Sequence, residues 1–542
     1  MTAPWPQTYD PLHHAAWSTL VAALPVITLL GSIAVLRIRA HYAALLGLAA
    51  ALVVAIGVLG MPVSLAVRAS ALGAAYGLLP IGWIILNVIF LYQLTNDRGL
   101  FGVLQDSLRR VTGDRRLQLV LVAFCFGSFF EGAAGFGTPV AITGALLLGL
   151  GFSPLEASGL SLIANTAPVA FGALGTPVVA LAGVTGLPLA SLSAMVGRQL
   201  PFFSVLIPFW LMFAYAGAKR TFAVWPALLV AGVAFAIPQW LISNYHGPWL
   251  VDIGAALVSL AAVTLLLRVW HPADVARESR PSRSATDSHA ELRAWTPWVI
   301  LSLVVFLWGL PQVKALLDGI SKPALAVAGL DNLVLRMPPV VAQAKPESAV
   351  FVANWLSATG TGILIAALIA AAVMGYRPRE VLRAYGRTLN TVKLSLLTIA
   401  AMLAIGYLTR YSGLDAILGL AFARTGAWYP FFGTLLGWLG VALTGSDTAS
   451  NVLFGSLQRL TAQQVGVSPI LMSAANSSGG VMGKMVDMQS IVVASTTTRW
   501  YGHEWEILRF VFLHSVLLAA LVGVLVTLEA YVAPFTRLVL GG

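Results

Sequence analysis

The sequence predicts an all-α polytopic membrane protein built from two inverted-topology repeats with broken or re-entrant helices. Three observations predict it. Of the 542 residues, 58% are hydrophobic and only 10% are charged. Apolar runs of spanning length recur along the whole chain, and two of them are interrupted by glycine-rich polar segments. A helix crosses the hydrocarbon core with about 20 residues, so we expect roughly 12–14 membrane segments.

The distribution of the apolar runs divides the chain into two halves. The first half, residues 1–268, contains a broken apolar region at 117–183, and the second half, residues 296–542, contains another at 428–497. Residues 269–295 between them are polar and rich in serine, which is typical of a solvated linker. The unbroken runs predict membrane spans near residues 16–38, 42–60, 74–94, 199–217, 222–243, 250–268, 296–310, 358–375, 388–408 and 507–532.

Basic residues occur in short clusters between the apolar runs. The formal net charge is +11, but this placement indicates orientation signals in a membrane and argues against a nucleic-acid partner. If every cluster faces the cytoplasm, the N-terminus and the charged segment 311–357 lie outside, and the two halves start with opposite polarity. The clusters are Arg37/Arg39, Arg109/Arg110/Arg115/Arg116, Lys219/Arg220, Arg268 to Arg293 and Arg377/Arg379/Arg383/Arg387.

The first broken region contains Glu131 inside the glycine cluster FGSFFEGAAGFGTP. The apolar run around this acid is too long for one span and too short for two. A helix break at bilayer depth frees backbone groups that lipid cannot satisfy, so such breaks line an enclosed cavity or a binding site. Glu131 is therefore predicted to mark a pathway.

The second broken region repeats the order of residues found in the first. Glu131 is followed by a Gly-Phe-Ser-Pro segment and then by Asn165, whereas Asp447 in TGSDTASN is followed by Gly-Val-Ser-Pro and then by Asn476. We expect each asparagine to lie in a second glycine-rich break. Corresponding interrupted segments in two halves are the best sequence indication of the central site of a secondary transporter.

The broken helices define a candidate anion site. Unpaired N–H groups and positive dipole ends near the midplane favour a small anion. Glu131 and Asp447 are candidate proton-coupling residues, because a carboxylate at that depth costs about 2.5 kcal/mol or more unless it is paired or protonated. Glycines permit close approach to the backbone, and short polar side chains supply donors and acceptors. The candidate substrate-binding residues are Gly132, Gly135, Gly137, Asn165, Thr166, Ser446, Thr448, Asn451, Asn476, Ser477 and Lys484.

Each candidate also has a plainer structural interpretation. The two acids could cap half-helices or pair with a buried cation, and Lys484 could be a structural counter-ion. Arg198, Asp487 and His514 are possible accessory residues, but Arg198 is more typical of an interface anchor and His514 of a satisfied core histidine. The sequence contains no metal-ligand spacing and no nucleotide-binding motif, so we expect no metal, no cofactor and no catalytic residue.

Several motifs, in order along nearly the whole chain, resemble one known family. They are WPQTYDPL, FCFGSFFEGAAGFGTPVAI, NTAPVAFGALGTPV, VGRQLPF, LRMPPVV, WLSATGTGIL, LLGWLGV, LTGSDTASN, AANSSGGVMGKM and FLHS. The sequence is similar in these motifs to the bacterial L-lactate permease family. The resemblance implies an inner-membrane transporter that couples uptake of L-lactate and related 2-hydroxymonocarboxylates, such as glycolate and D-lactate, to protons. Asp487, which follows GKM where the family pattern has no acid, and Arg410 depart from that pattern.

Two alternatives remain open at this point. The oxygen-rich segment GSDTASN equally suits a sodium ion, which predicts a sodium-coupled carboxylate or anion carrier. An integral-membrane enzyme acting on a lipid is the other alternative, although such an enzyme would have clustered acids for a metal and the acids here are solitary. The expected partners are a small carboxylate substrate and the lipid bilayer, and the sequence leaves the oligomeric state open.

Overall fold

The structure is a computed structural model. It describes residues 4–34, 36, 38–100, 102–103, 111–133, 135, 138–272, 288–341, 343–501 and 503–540. Part of the linker predicted at 269–295 lies outside the described residues, as do Arg37, Arg109 and Arg110 of the basic clusters and Gly137 of the candidate site.

Ten helices make up the first half of the chain as far as it is described. They are α1 (Ala15–Ala34), α2 (Ala40–Gly57), α3 (Val63–Asp97), α4 (Arg115–Ala133), α5 (Thr138–Gly149), α6 (Pro154–Ala164), α7 (Val169–Thr185), α8 (Leu189–Ala223), α9 (Trp225–Tyr245) and α10 (Val251–Val269). Helices α3 and α4 each include a wider π-helical stretch, at Gly77–Gly82 and Val120–Phe126.

Ten further helices follow the linker. They are α11 (Ser288–Gly309), α12 (Pro311–Ile320), α13 (Thr359–Val373), α14 (Pro378–Ser412), α15 (Leu414–Ala423), α16 (Tyr429–Thr444), α17 (Asp447–Val465), α18 (Pro469–Gly483), α19 (Met488–Thr497) and α20 (Glu504–Tyr531). Short 3₁₀ turns occur at Gly426–Trp428 and Phe535–Leu538.

The helices match a polytopic membrane protein. Within the described residues, ten helices are long and apolar enough to cross a bilayer, and α6 and α7 form one further broken pair bent by 63°. Four shorter apolar helices, α2, α5, α13 and α15, accompany them. The predicted fold class of helical spans with broken segments is confirmed. The inverted relation between the halves stays a prediction.

The described part of segment 311–357, which is all of it except residue 342, contains no spanning helix. It consists of α12 and four short strands, β2 (Ala324–Ala326), β3 (Val334–Arg336), β4 (Lys345–Pro346) and β5 (Val350–Val352), whereas β1 is Trp5–Pro6. Strand β2 pairs antiparallel with β5, and β3 pairs antiparallel with β4 and parallel with β1. The N-terminal segment is thereby bound to the second half of the chain.

Several spans are longer than the sequence predicts, among them α3, α8 and α14. Helix α3 begins at residue 63 instead of 74, and α14 covers 378–412 instead of 388–408. The two helices pack backbone to backbone, because Gly73 lies against the main chain of Leu403 and a Cβ at Gly77 would come within 2.8 Å of Ala400 Cα. This tight packing stabilises helical turns whose polar residues hydropathy alone assigns to loops.

Candidate functional site

The first break places Glu131 at the end of a helix. Helix α4 ends two residues after Glu131, whose side chain is 5% exposed. A Cβ at Gly135 would lie 3.6 Å from Glu131 Oε1, and one at Gly172 would overlap that oxygen. Glu131 Oε2 is buried with no hydrogen-bond partner. The absence of side chains at these two glycines thus makes room for the carboxylate.

The second break places Asp447 at the start of a helix. Gly445 has a φ of +73°, which turns the chain out of α16, and Ser446 Oγ accepts from the backbone N–H of Ala449 to cap α17. Asp447 is the first residue of α17, where the helix dipole favours a negative charge. Its Oδ2 accepts from Ser477 Oγ at 2.5 Å, whereas its Oδ1 is buried and unpaired.

Lys484 joins two segments of the second broken region. Its Nζ donates to the carbonyl oxygen of Gly445 at 2.6 Å and lies 3.3 Å from Asp487 Oδ2. Asp487 in turn caps α19, because its Oδ1 accepts from the N–H of Ser490 at 2.7 Å. Of the partners that the sequence offers for Lys484, the structure pairs it with Asp487.

One cavity joins the two breaks. It has a volume of about 170 Å³, which at about 30 Å³ per water accommodates a small organic anion. Its walls come from α4, α7, α14, α17, α19 and the turns around them. The predicted residues that line it are Glu131, Gly135, Ser446, Asp447, Thr448 and Lys484. The structure therefore brings the acids of both halves to the same space.

Other predicted residues lie behind the cavity wall and support it. Asn451 Nδ2 donates to the carbonyl of Pro177 at 3.2 Å and lies 3.4 Å from Asp447 Oδ2. Asn476 Nδ2 donates to Asn451 Oδ1 at 3.0 Å, and Asn476 Oδ1 accepts from Gln458 Nε2 at 3.1 Å. With Ser477 these residues form a hydrogen-bonded network that holds Asp447 in place.

The first half has no equivalent network. Asn165 follows the last residue of α6, and its buried side chain interacts with Glu131 but makes no well-aligned hydrogen bond. Thr166 Oγ1 donates to the carbonyl of Ile163 at 2.8 Å. Gly132 lies against α10, where a Cβ would come 2.7 Å from Asp252 Cβ. Gly132 is thus a helix-packing glycine and does not line the cavity.

Asn476 corrects one prediction. It was expected in a second glycine-rich break, but it lies inside the continuous helix α18, which ends only at Gly483. Gly479 and Gly480 keep helical geometry and allow close contact with Thr434 and Asp447. These two glycines allow close helix packing, and the helix breaks only after Gly483.

Two of the three accessory candidates, Arg198 and His514, lie away from the cavity, whereas Asp487 lies beside it as the partner of Lys484. Arg198 Nε donates to Asn244 Oδ1 at 3.0 Å and its Nη1 donates to the carbonyl of Leu538 at 2.8 Å. His514 Nδ1 accepts from Trp210 Nε1 at 3.1 Å. Both side chains therefore have structural partners.

Sequence reasoning missed one wall of the cavity. Helix α14 contributes Ser395, Thr398 and Met402, which share one helix face by their spacing of three and four residues. Gln489 and Ser490 contribute from α19. The spacing of polar residues in an otherwise apolar span was a usable signal, but α14 lies outside the two broken regions on which the motif comparison rested.

The fold and the cavity define a class of protein. Helical spans with broken segments around a cavity that contains charged and hydroxyl side chains are the architecture of membrane transporters. The chain is therefore a multi-pass membrane transporter.

Comparison with known proteins identifies the family. The sequence profile of L-lactate permease matches residues 18–533. The L-lactate permease and the glycolate permease GlcA of Escherichia coli (strain K12) are each 45% identical to this chain, over 97% of it and 98% of their own lengths. The L-lactate permease of Bacillus subtilis (strain 168) is 42% identical over 97% of this chain and 99% of its own length. The chain belongs to the L-lactate permease family, and the recognition made from its motifs is confirmed.

Proposed function

We propose that this protein takes up L-lactate and related small 2-hydroxymonocarboxylates, including glycolate and D-lactate, by proton symport. The names of its relatives support the substrate class. The observation that carries the proposal is the meeting of Glu131 and Asp447, one from each half, at one cavity with Lys484.

Charge balance in the cavity supports coupling to protons. Lys484 is already paired with Asp487, so its charge offsets the charges of the two cavity acids only in part. A substrate carboxylate in the cavity meets Glu131 and Asp447, and like charges at short range oppose binding. Protonation of one acid removes that repulsion, so the anion and the proton move together. Glu131 and Asp447 act as the coupled carriers.

The polar side chains in the cavity wall suit recognition of a hydroxy acid. The N-terminal end of α17 and Lys484 bind the carboxylate. Hydroxyl groups of Thr176, Ser395, Thr398 and Thr448 line the same cavity and hydrogen-bond the 2-hydroxyl. Acetate, which lacks that hydroxyl, should therefore bind at least about tenfold more weakly than lactate, since the loss of one hydrogen bond is of that size.

The test is uphill uptake by Glu131→Gln. Purified protein is reconstituted in vesicles, and accumulation of labelled L-lactate is measured under an inward proton gradient. We expect the variant to lose accumulation but to retain lactate exchange between the two sides, because exchange needs no net proton movement. Glu529→Gln is a matched control, since Glu529 is a buried acid paired with Gln199 at 3.0 Å and does not line the cavity. Undiminished uphill uptake by Glu131→Gln would contradict the assignment.

Sodium coupling is the second candidate. Hydroxyl and carboxylate oxygens of Thr444, Ser446, Asp447 and Thr448 line the cavity together, and such oxygens also suit a sodium ion. Uptake driven by a sodium gradient with the proton gradient clamped, compared with the reverse condition, separates the two. Membership of a permease family supports either carrier over a membrane enzyme.

We further propose that the N-terminus faces the outside of the bacterial cytoplasmic membrane. The described basic residues at Arg115/Arg116, Lys219/Arg220 and Arg377/Arg379 lie at helix ends that this orientation assigns to the cytoplasm. Single cysteines placed near residues 10 and 220, probed in intact cells with a membrane-impermeant reagent, test the orientation. Labelling at 10 and not at 220 is expected, and the reverse would contradict it.

A further inference from the structure

A second cluster of charges lies near the strands of segment 321–357. It contains three arginines: Arg336 at the end of β3, Arg410 near the end of α14, and Arg459 in α17. These three arginines are here called the arginine cluster. Two acids, Glu347 and Asp415, accompany them. The cluster thus has three guanidinium groups and two carboxyl groups.

The cluster lies beyond the substrate cavity on the same helices. Three helices line the cavity at Pro177, Leu403 and Val452. Seven residues further along, these helices carry Val184, Arg410 and Arg459, which at about 1.5 Å per residue is a distance of about 10 Å. Arg410 Nη1 of α14 donates to the carbonyl of Val184 in α7 at 3.4 Å, and Ser456 Oγ of α17 donates to the same carbonyl at 3.1 Å, so the three helices are still in contact at that level.

Glu347 is fully engaged by two of the arginines. Its Oε2 lies 2.6 Å from Arg336 Nε, and its Oε1 accepts from Arg410 Nε at 2.7 Å and lies 2.6 Å from Arg410 Nη2. Burial raises the pKa of Glu347, but Arg410 and Arg336 beside it more than offset this and lower the pKa below its ordinary value. Glu347 is therefore ionised, and its charge is used by these two arginines.

Arg459 has no such partner among the described residues. Its Nε and Nη2 are buried without a hydrogen-bond partner, and no described carboxylate lies within 4.0 Å of it. Asp415 is the nearest uncommitted acid, but its Oδ1 accepts from the N–H of Ala416 at 2.7 Å and its Oδ2 makes no hydrogen bond. A cation whose Nε and Nη2 are buried next to two other cations requires a counter-charge.

We propose that Arg459, together with Arg336 and Arg410, forms a second binding site for a small carboxylate anion on the route between the cavity and the aqueous face that carries segment 321–357. A guanidinium group binds a carboxylate through two parallel hydrogen bonds, and the unpaired Nε and Nη2 edge of Arg459 has this geometry. The site holds the substrate about two helical turns from the cavity before it moves inward. The choice of lactate as the anion rests on the proposed function.

The first experiment counts binding sites. Equilibrium binding of labelled L-lactate to the purified protein is measured in a chloride-free buffer. We expect two equivalents for the unaltered protein and one for Arg459→Gln. Arg68→Gln is the matched control and should keep both, because Arg68 is an exposed arginine that donates to the carbonyl of Gly329. One equivalent in every variant would overturn the proposal.

Competition with chloride shows whether the second site binds small anions in general or carboxylates only. Added chloride that removes one equivalent of lactate from the unaltered protein, and none from Arg459→Gln, assigns the site to small anions in general. Chloride that removes none assigns it to carboxylates.

If lactate does not bind at all, the proposed function fails, and the site is then tested by chloride alone. Chloride should raise the melting temperature of the unaltered protein and not that of Arg459→Gln, and equal shifts would overturn the site.

Thermal stability separates an anion site from a structural ion pair. Without anions, Arg459→Gln removes a buried unpaired cation, so its melting temperature should rise or stay the same. If Arg459 instead pairs with Asp415, both Arg459→Gln and Asp415→Asn should lower it. That result would overturn the proposal. In transport assays, Arg459→Gln should raise KM about tenfold with little change in kcat, because one charge-assisted contact is lost before the cavity is reached.

Discussion

The two broken regions differ in how their polar groups are satisfied. In the second, Asp447 accepts from Ser477, Asn476 donates to Asn451, and Lys484 pairs with Asp487. In the first, Glu131 Oε2 and both polar atoms of Asn165 are buried and make no well-aligned hydrogen bond, and the two side chains interact with each other. The second break is therefore held by its own hydrogen bonds, whereas the first has unused hydrogen-bonding capacity at the cavity.

The backbone shows the same difference. After the first break, Ala173, Leu174 and Gly175 have φ values of 43°, 56° and 75°. For residues other than glycine, this left-handed geometry costs about 1–2 kcal/mol each. Among the described residues of the second broken region, only two glycines, Gly445 and Gly466, have a positive φ, and no residue with a side chain does. The comparison teaches that the second half holds its cavity residues in fixed positions by hydrogen bonds. The first half has backbone strain and unused hydrogen-bonding groups, which a bound substrate or proton can relieve.

The largest expected effect comes from Lys484→Met, which tests whether the second break depends on its internal pairs. The change leaves Asp487 as a buried unpaired acid, and breaking a buried ion pair costs about 3–5 kcal/mol of unfolding free energy. The double variant Lys484→Met with Asp487→Asn should recover most of this loss. Denaturant unfolding in mild detergent measures it. Lys393→Met, at an exposed lysine that donates to Asn390, is the control, and an equal loss there would contradict the expectation.

A matched pair of asparagine variants sharpens the contrast. Asn476→Ala removes hydrogen bonds to Asn451 and Gln458, so we expect a stability loss of about 1–3 kcal/mol. Asn165→Ala removes only a weak interaction with Glu131 and should cost less stability, but it should lower lactate uptake about tenfold if Asn165 binds the substrate during transport. Melting temperatures and uptake rates of both variants decide this. A larger stability loss for Asn165→Ala would break the comparison.

Two glycine variants test how firmly each carboxylate is held. A Cβ at Gly172 would overlap Glu131 Oε1, and one at Gly480 would overlap Asp447 Oδ1. The partnerless end of Glu131 can shift, so Gly172→Ala should lower uptake with little change in stability. Asp447 is held by Ser477, so Gly480→Ala should cost about 1–3 kcal/mol through overpacking. Gly183→Ala, where a Cβ meets nothing within 4 Å, is the control for both melting temperature and uptake. Equal stability losses at the two sites would remove the contrast.

The smallest expected effect concerns backbone strain. Ala173→Gly relieves a left-handed conformation at the price of one methyl group, so we expect a gain of about 1 kcal/mol in stability. Ala180→Gly in the regular part of α7 should lose about 1 kcal/mol instead. The melting temperatures of the two variants should therefore move in opposite directions. A loss of stability in both would show that the first break stores no strain at Ala173.

Sequence alone predicted the fold class, the family and the two acids that line the cavity, because apolar length and a repeated acid, Ser-Pro and asparagine order are local signals. It did not predict that Asn476 lies in an unbroken helix. Glycines that turn a chain and glycines that allow close packing look the same in a sequence, and only tertiary contacts such as those of Gly480 distinguish them. The contribution of Ser395 and Thr398 depends on how α14 rotates against α3, which no local pattern records.

The pairing of β1 with β3 restricts which parts of the molecule can move separately. Trp5 and Pro6 pair with Val334 and Leu335, and Gln7 donates to the carbonyls of Arg410 and Tyr411 at the end of α14. Residues 5–7 are thereby bound to the end of α14, a helix that lines the cavity and lies about four hundred residues later in the sequence. During an alternating-access cycle, β1, β3 and the end of α14 would move together as one rigid body. Helices without such a connection would then move relative to this body.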